Sequence, residues 1–545
     1  MTADEKKNEA TAAVLPGGKQ KTDSTAIRPD LARVIDRLSF GLDENRPEVV
    51  AKRRQKNQRT ARANVEDLFD GGQFIEYGAM AIAAQRQRRS EDDLIRRTPA
   101  DGLITGIGAV NGSLFPEDRA RCATIAYDYT VLAGTQGYFN HKKKDRMLNL
   151  VYEQRLPLVL FAEGGGGRPG DVDWDAVWSS GLHVPTFALF GRLSGHVPVV
   201  GVLSGYCFAG NAALLGCCDV IIAAKNSNIG IGGPVMIEGG GIGVFKPEEV
   251  GPMDVQTQNG TVDIEVADDV EAVAVAKKYL SYFQGAITEW KAGDQLRLRN
   301  MIPEQRKRVY NIRAVIKALA DTDSFLELKP KFGLSMVTGL IRIEGRPFGV
   351  IANDPMCMAG AIEAEGADKA ARLMQICNAH GLPILSLCDT PGFMVGPEIE
   401  KRAQVRHVCR VLVIGSHITV PYFTVVLRRG YGLGAMAMAG AGFHESFFTV
   451  SWPSGEFGGM GLEGHVKAGF KKELAAVADP QKRKELYDKL LANLYERGSA
   501  INMAAYLEID AVIDPADTRR WIMQGLKATP ERSPSDIGHN FIDPW

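Results

Sequence analysis

The stretch "LPLVLFAEGGG", Leu156 to Gly166, runs from an apolar segment into an acid and then glycines. "LPILSLCDTPG", Leu382 to Gly392, does the same further down the chain. Each reads as a buried strand followed by an acid and a turn that needs glycine. Two more pairs keep the same order: "TGIGAVNG" (Thr105 to Gly112) with "TGLIRIEG" (Thr338 to Gly345), and "VPVVGVLSG" (Val197 to Gly205) with "VPYFTVVLR" (Val420 to Arg428). Three matches in one order, with slowly shrinking offsets, indicate a tandem duplication. The period is too long for a solenoid, so each copy is expected to be a whole domain.

Apolar residues recur at helical spacing in "GTQGYFNHKKKDRMLNLVYEQR" (Gly134 to Arg155) and "GADKAARLMQICNAHG" (Gly366 to Gly381), and a buried strand follows each. This order predicts α/β layers with mainly parallel strands. The polar stretch from Trp290 to Val309, which contains Pro303, marks the expected boundary between domains at 31–290 and 297–540. Residues 1–30 mix acidic and basic side chains without an apolar core. They read as a disordered tail rather than a targeting segment, and the protein as cytoplasmic.

The chain has 545 residues, 24% of them charged, and a formal net charge of -1. That balance gives no reason to expect a nucleic-acid or membrane-surface partner. No apolar run approaches the roughly 20 residues that span a bilayer. The eight cysteines form no C-x-x-C pair and read mostly as buried reduced thiols, so no metal site is expected. Neither H-E-x-x-H nor a G-x-S-x-G elbow is present.

In such a fold, ligands sit beyond the carboxyl ends of the strands, where both glycine clusters fall. The first copy has Gly164 to Gly167 and then "GYCFAGNAALLG" (Gly205 to Gly216). The second has "DTPGF" (Asp389 to Phe393) and then "RRGYGLGAMAMAG" (Arg428 to Gly440). The later cluster of each copy opens an alanine-rich, helix-like run, and N–H groups at a helix start lack internal partners. Two such groups from adjacent strand ends can converge on one oxygen as an oxyanion hole. Backbone donors ask for small residues rather than particular side chains. The competing structural reading is that the glycines only allow close helix–sheet packing. Glu163 and Asp389, at the strand ends, read as turn or helix caps.

These clusters, with "SYFQG" (Ser281 to Gly285), "NDPMCMAGAIEAEGADKAARLMQICNAHGLPILSLCDTPGF" (Asn353 to Phe393) and "EIDAVIDPADTR" (Glu508 to Arg519), resemble the carboxyltransferase β subunits of propionyl-CoA and methylcrotonoyl-CoA carboxylases. The resemblance covers roughly residues 31 to 530. It implies two crotonase-like ββα-spiral domains, a hexameric core, and active sites between the first domain of one subunit and the second of its neighbour. It implies transfer of CO2 from carboxybiotin to the α or vinylogous γ carbon of an acyl-CoA, with biotin carried on a partner chain that also holds a biotin carboxylase. Carried over by position, Gly165, Gly166, Gly210 and Asn211 would hold the thioester enolate. Gly392, Phe393, Leu433 and Gly434 would hold the biotin ureido oxygen. Gly167, Arg168, Ala209, Tyr431, Gly432 and Met436 would line the substrates.

The chain departs from the family where it writes "GGGGR" at Gly164 to Arg168, Gly210-Asn211, Leu433-Gly434, and Met436 in place of an acid. The last change suggests a more apolar acyl pocket. The basic runs "HKKKDR" (His141 to Arg146) and "QRQRRSEDDLIRR" (Gln85 to Arg97) are candidates for the CoA phosphates or for solvated faces. The rival functions are a biotin-dependent decarboxylase subunit, a crotonase-type hydratase or isomerase, and a non-catalytic scaffold. A hydratase would need one domain and a catalytic glutamate, which the doubled chain argues against.

Overall fold

The computed structural model describes residues 27–173, 184–530 and 541–545. Most of the tail expected over residues 1–30 therefore lies outside the described residues. Its last positions, Pro29 and Asp30, instead open the helix Pro29–Ser39. Proline suits a first turn because its missing N–H has no partner there anyway.

The first half builds a sheet from β1 (Phe74–Tyr77), β2 (Leu103–Ala109), β3 (Arg121–Tyr127), β4 (Leu158–Phe161), β5 (Val199–Leu203), β7 (Val220–Ala224) and β9 (Ile264–Val266), in that spatial order. Two short strands, β6 (Tyr206–Phe208) and β8 (Asn228–Gly230), pair apart from it. The second half repeats the plan with β10 (Leu326–Leu328), β11 (Met336–Ile343), β12 (Arg346–Asn353), β13 (Ile384–Thr390), β14 (Tyr422–Tyr431), β15 (Phe448–Ser451) and β17 (Ala511–Val512). There, β16 (Glu456–Gly458) pairs with the end of β14. In each sheet the first three strands run antiparallel and the rest parallel. The three sequence matches fall on β2 and β11, β4 and β13, and β5 and β14, which hold the second, fourth and fifth places of their sheets.

The duplication extends to side-chain chemistry. In the first hairpin, Asn111 and Gly112 donate their N–H groups to the Asp70 carboxylate. In the second, Glu344 and Gly345 donate to Asp321. The two expected helices form as Tyr138–Gln154 and Ala364–His380. Each sends one buried lysine to cap the carbonyls at the start of the second strand. Lys143 Nζ donates to Ala100 O and Leu103 O, and Lys369 Nζ to Phe332 O and Met336 O. Burial lowers the Lys143 ammonium to about 8 and that of Lys369 to about 7.

The parallel strands are apolar on both faces because helices cover both. Leu158 and Leu160 of β4 join the layer under the helix Tyr138–Gln154. Val159 and Phe161 face the helix Asp269–Ser281, and that layer continues into the second half as far as the helix Ala364–His380. The polar stretch read as a boundary is tied to the second half. Leu298 is buried in its core, Arg299 pairs with Asp514, and Arg306 pairs with Glu456.

Candidate active site

At the end of β4, Gly164 donates to Tyr206 O and Phe208 N–H donates back to Gly164 O, fixing the glycine turn against β6. Gln136 N–H donates to Gly166 O, and Arg168 N–H to Gln136 O. The second half repeats this bridge: Ile362 N–H donates to Gly392 O, and Met394 N–H to Ile362 O. The bridges align Gln136 with Ile362, Gly166 with Gly392, and Gly167 with Phe393. Gly166 and Gly392 both take positive φ, +87° and +117°, which only glycine adopts without strain.

Three of the turn amides first read as donors already have acceptors within the fold. Gly165 N–H donates to Ala133 O and Gly166 N–H to Asn211 Oδ1, so neither is available as first read. Gly392 N–H is likewise spent on Thr390 Oγ1. The amides without an acceptor among the described residues are those of Gly167 and Phe393. In the first turn the open amide is therefore one residue later than the sequence suggested. Gly167 is exposed, with open space around its Cα.

The second donor of each cradle comes from a helix start. The helix Gly210–Gly216 follows β6, and the helix Gly432–Met438 follows β14. The N–H groups of Gly210 and Asn211, and of Leu433 and Gly434, have no acceptor among the described residues, as expected of a first turn. Turn and helix are in contact. A Cβ placed on Gly166 would lie 3.5 Å from the Gly210 nitrogen, and one placed on Gly434 would lie 2.9 Å from the Phe393 nitrogen. In each half a turn with one open amide thus packs against a helix start with open amides, and a turn amide and a helix-start amide that converge can hold one negative oxygen.

Several expected substrate contacts are structural instead. Arg168 is buried, ion-paired with Asp101 and bonded to Thr135 O, so its guanidinium faces inward. The Tyr431 hydroxyl donates to Glu456 in the interior. Ala209 donates its N–H to Gly230 O and adopts φ +52°, ψ −124°, a strained turn into the helix. Gly432 takes φ +58° at the equivalent place. Met436 is 37% exposed and Leu433, one turn earlier, 59% exposed, so both stand at the surface beside the second cradle. Of the basic run His141 to Arg146, Lys143 and Lys144 are in the core, and burial pushes His141 down to about 3. In the other run, Arg89 and Arg97 pair with Asp93.

The acids at the strand ends are held by arginines. Glu163 takes a bidentate pair from Arg53 at 2.9 and 2.7 Å, while burial pushes its carboxyl up to about 7 against that pull. Asp389 is fully buried and accepts from Arg428, Arg429 and the Tyr310 hydroxyl. These carboxylates lock the strand ends beneath the cradles. Sequence reasoning missed the arginines, which come from far along the chain (Arg53) or from a strand that reads as apolar. Among the described residues no group of three metal-ligating side chains comes together, and no helix is long and apolar enough to cross a membrane.

The duplicated mixed α/β architecture, with a glycine turn packed against a helix start in each half, is the crotonase-like fold of carboxyltransferase structures. The chain belongs to the family described as carboxyl transferase domain, which matches residues 52–538 and contains the carboxyltransferase β subunits of biotin-dependent acyl-CoA carboxylases. It is similar to a single-chain, multi-domain long-chain acyl-CoA carboxylase of known structure, at 52% identity and a TM-score of 0.86. The match covers 92% of this chain and 49% of that one, so this chain spans about half the length of that relative. It is also similar to transcarboxylase 12S, whose crystal structure describes a hexamer assembly with methylmalonyl-CoA bound. That match has 26% identity and a TM-score of 0.80 over 94% of this chain and 98% of that one. The biotin-dependent long chain acyl-coenzyme A carboxylase β4 subunit of Mycobacterium tuberculosis is 28% identical over 91% of this chain and 93% of its own.

Proposed function

We propose that the two cradles serve the two oxyanions of one carboxyl transfer, with residues 31–290 holding the acyl-CoA and residues 297–540 the biotin. The observation that carries this reading is the matched pair of unsatisfied amides, Gly167 with Gly210 and Phe393 with Leu433. Carboxybiotin, presented by a partner chain with biotin carboxylase and carrier domains, supplies the CO2 and the base. The chain's own part is electrostatic. Gly167 and Gly210 donate to the thioester oxygen as it becomes an enolate, and Phe393 and Leu433 donate to the ureido oxygen as it gains charge. These donors strengthen their bonds only as charge develops, so they favour the transition state over bound substrate. Glu163 and Asp389 have no part in proton transfer in this scheme, because each is engaged by arginine.

The acyl group is long and apolar. The surface beside the second cradle offers Leu433 and Met436 rather than a charge, and two similar proteins are described as long-chain acyl-CoA carboxylases. The working unit is a homohexamer in the cytoplasm. The test is ATP-dependent bicarbonate fixation by the chain with its biotin-carrying partner, over thioesters from acetyl to palmitoyl. Fixation that rises with chain length is expected. Fixation on no thioester overturns the reading, and a preference for acetyl or propionyl overturns the acyl assignment.

A further inference from the structure

The two cradles differ at one equivalent position. In the second half, Gly434 lies against the turn so closely that a Cβ placed on it would be 2.7 Å from Gly392 Cα. In the first half that place belongs to Asn211, which is fully buried. Its carboxamide fills the gap that backbone contact closes in the other copy. Asn211 Oδ1 accepts from the Gly166 N–H at 3.2 Å and from Gln136 Nε2 at 3.1 Å. Asn211 Nδ2 donates to Gly134 O at 3.2 Å and reaches Ala162 O at 3.4 Å. One side chain on the cradle helix thus binds the glycine turn, the end of β4 and the segment before the helix Tyr138–Gln154.

We propose that Asn211 is the positioning residue of the first cradle, setting the separation and direction of the Gly167 and Gly210 amides. The inference rests on the carboxyltransferase reading. The physical argument starts with the Gly166 peptide. Its N–H, in the peptide unit that joins Gly165 to Gly166, is held by Asn211 Oδ1, and its carbonyl, in the unit that joins Gly166 to Gly167, is held by Gln136 N–H, so the two peptide planes that meet at the Gly166 Cα are both fixed. The Gly167 amide, the free donor, shares its plane with the Gly166 carbonyl, so its direction follows from the bond to Gln136 and from the Gly166 hinge that Asn211 holds on the other side. The other free donor, Gly210, immediately precedes Asn211 at the start of the helix, so the residue that holds the turn also ties it to the helix start that bears the second donor. Gln136 completes the brace: its side chain packs on Gly210, where a Cβ would lie 3.1 Å from Nε2. In the second copy Ile362 stands in its place and no side-chain carboxamide is needed, because turn and helix touch directly.

The test uses the full chain with its biotin-carrying partner, assayed well below the melting temperature. Asn211→Ala is expected to lower kcat about 100-fold, as loss of an aligned oxyanion donor does. The KM for acyl-CoA and for free biotin in the reverse reaction should stay within about threefold, because ground-state binding does not use the cradle. A merely structural role would raise both KM values or remove active protein without this split. Gln136→Ile keeps the Asn211 bond to the turn but removes its brace, and is expected to lower kcat by roughly 3- to 10-fold with an unchanged melting temperature. If Asn211→Ala does not fold, the Gln136→Ile result decides. A kcat unchanged in the folded variant overturns the proposal, whereas an inactive wild type with every thioester overturns the carboxyltransferase reading instead.

Discussion

At the first cradle the turn amide of Gly166 is held by a carboxamide reaching over from the helix. At the second, the equivalent amide of Gly392 is held by Thr390 Oγ1 from within the turn, and the helix packs on the turn through Gly434. The backbone outcome is the same: one turn amide, Gly167 or Phe393, is left without an acceptor beside the open amides of a helix start. Evolution of the two copies kept the geometry of the main chain and changed the side chains that enforce it. A cradle made of backbone is insensitive to residue identity at the donors themselves and sensitive to whatever fills the space behind them.

That difference can be broken most directly with alanine at the helix starts. Gly434→Ala puts a methyl 2.7 Å from Gly392 Cα and 2.9 Å from the Phe393 nitrogen, where only backbone could yield. We expect kcat to fall by about 10²- to 10³-fold, the loss typical of a removed oxyanion donor. Gly210→Ala meets only the flexible end of Gln136, at 3.1 Å, and should lose no more than about tenfold. Steady-state carboxylation by the two variants measures the contrast, and equal losses would mean that both cradles are closed in the same way.

The carboxylates below the cradles sharpen it next. Asp389→Asn leaves Arg428 buried beside a neutral partner, and breaking such a pair costs about 3–5 kcal/mol. Glu163→Gln affects a pair with one arginine, whose carboxyl burial already pushes up to about 7. It should cost clearly less. Urea unfolding of both variants gives the order, and a larger loss at Glu163 would show that the first half depends more on its ion pair.

The smallest effect is expected at the matched lysines. Burial lowers the folded-state Lys369 from 10.5 to about 7, so the unfolded chain binds more protons between those values. The stability tied to this group is therefore full above about 10.5 and is lost as pH falls toward 7. The margin of the wild type over Lys369→Met should shrink as pH is lowered from 10 to 7. Lys143→Met should show the same trend over a narrower range, because its folded value is nearer 8. Denaturation series at several pH values check both, and a flat difference would mean these lysines stay charged in the fold.

The duplication, the α/β class, the helices Tyr138–Gln154 and Ala364–His380 and the glycine turns at the strand ends were all legible in the sequence. These follow from local rules: apolar runs of strand length, helical spacing, and glycine where φ turns positive at Gly166 and Gly392. Which amides are free was set by contacts between distant segments. Gly165 looks as suitable a donor as Gly167 in "GGGG", and what distinguishes them is Ala133 O, an acceptor brought in from another loop. The inward turn of Arg168 and Lys143 was hidden for the same reason, since a charge on a helix or loop reads as solvated until its buried partners, Asp101 and the Leu103 carbonyl, are in place. Hydrogen-bond satisfaction is settled between segments distant in the chain, and a linear pattern carries no record of which segments will meet.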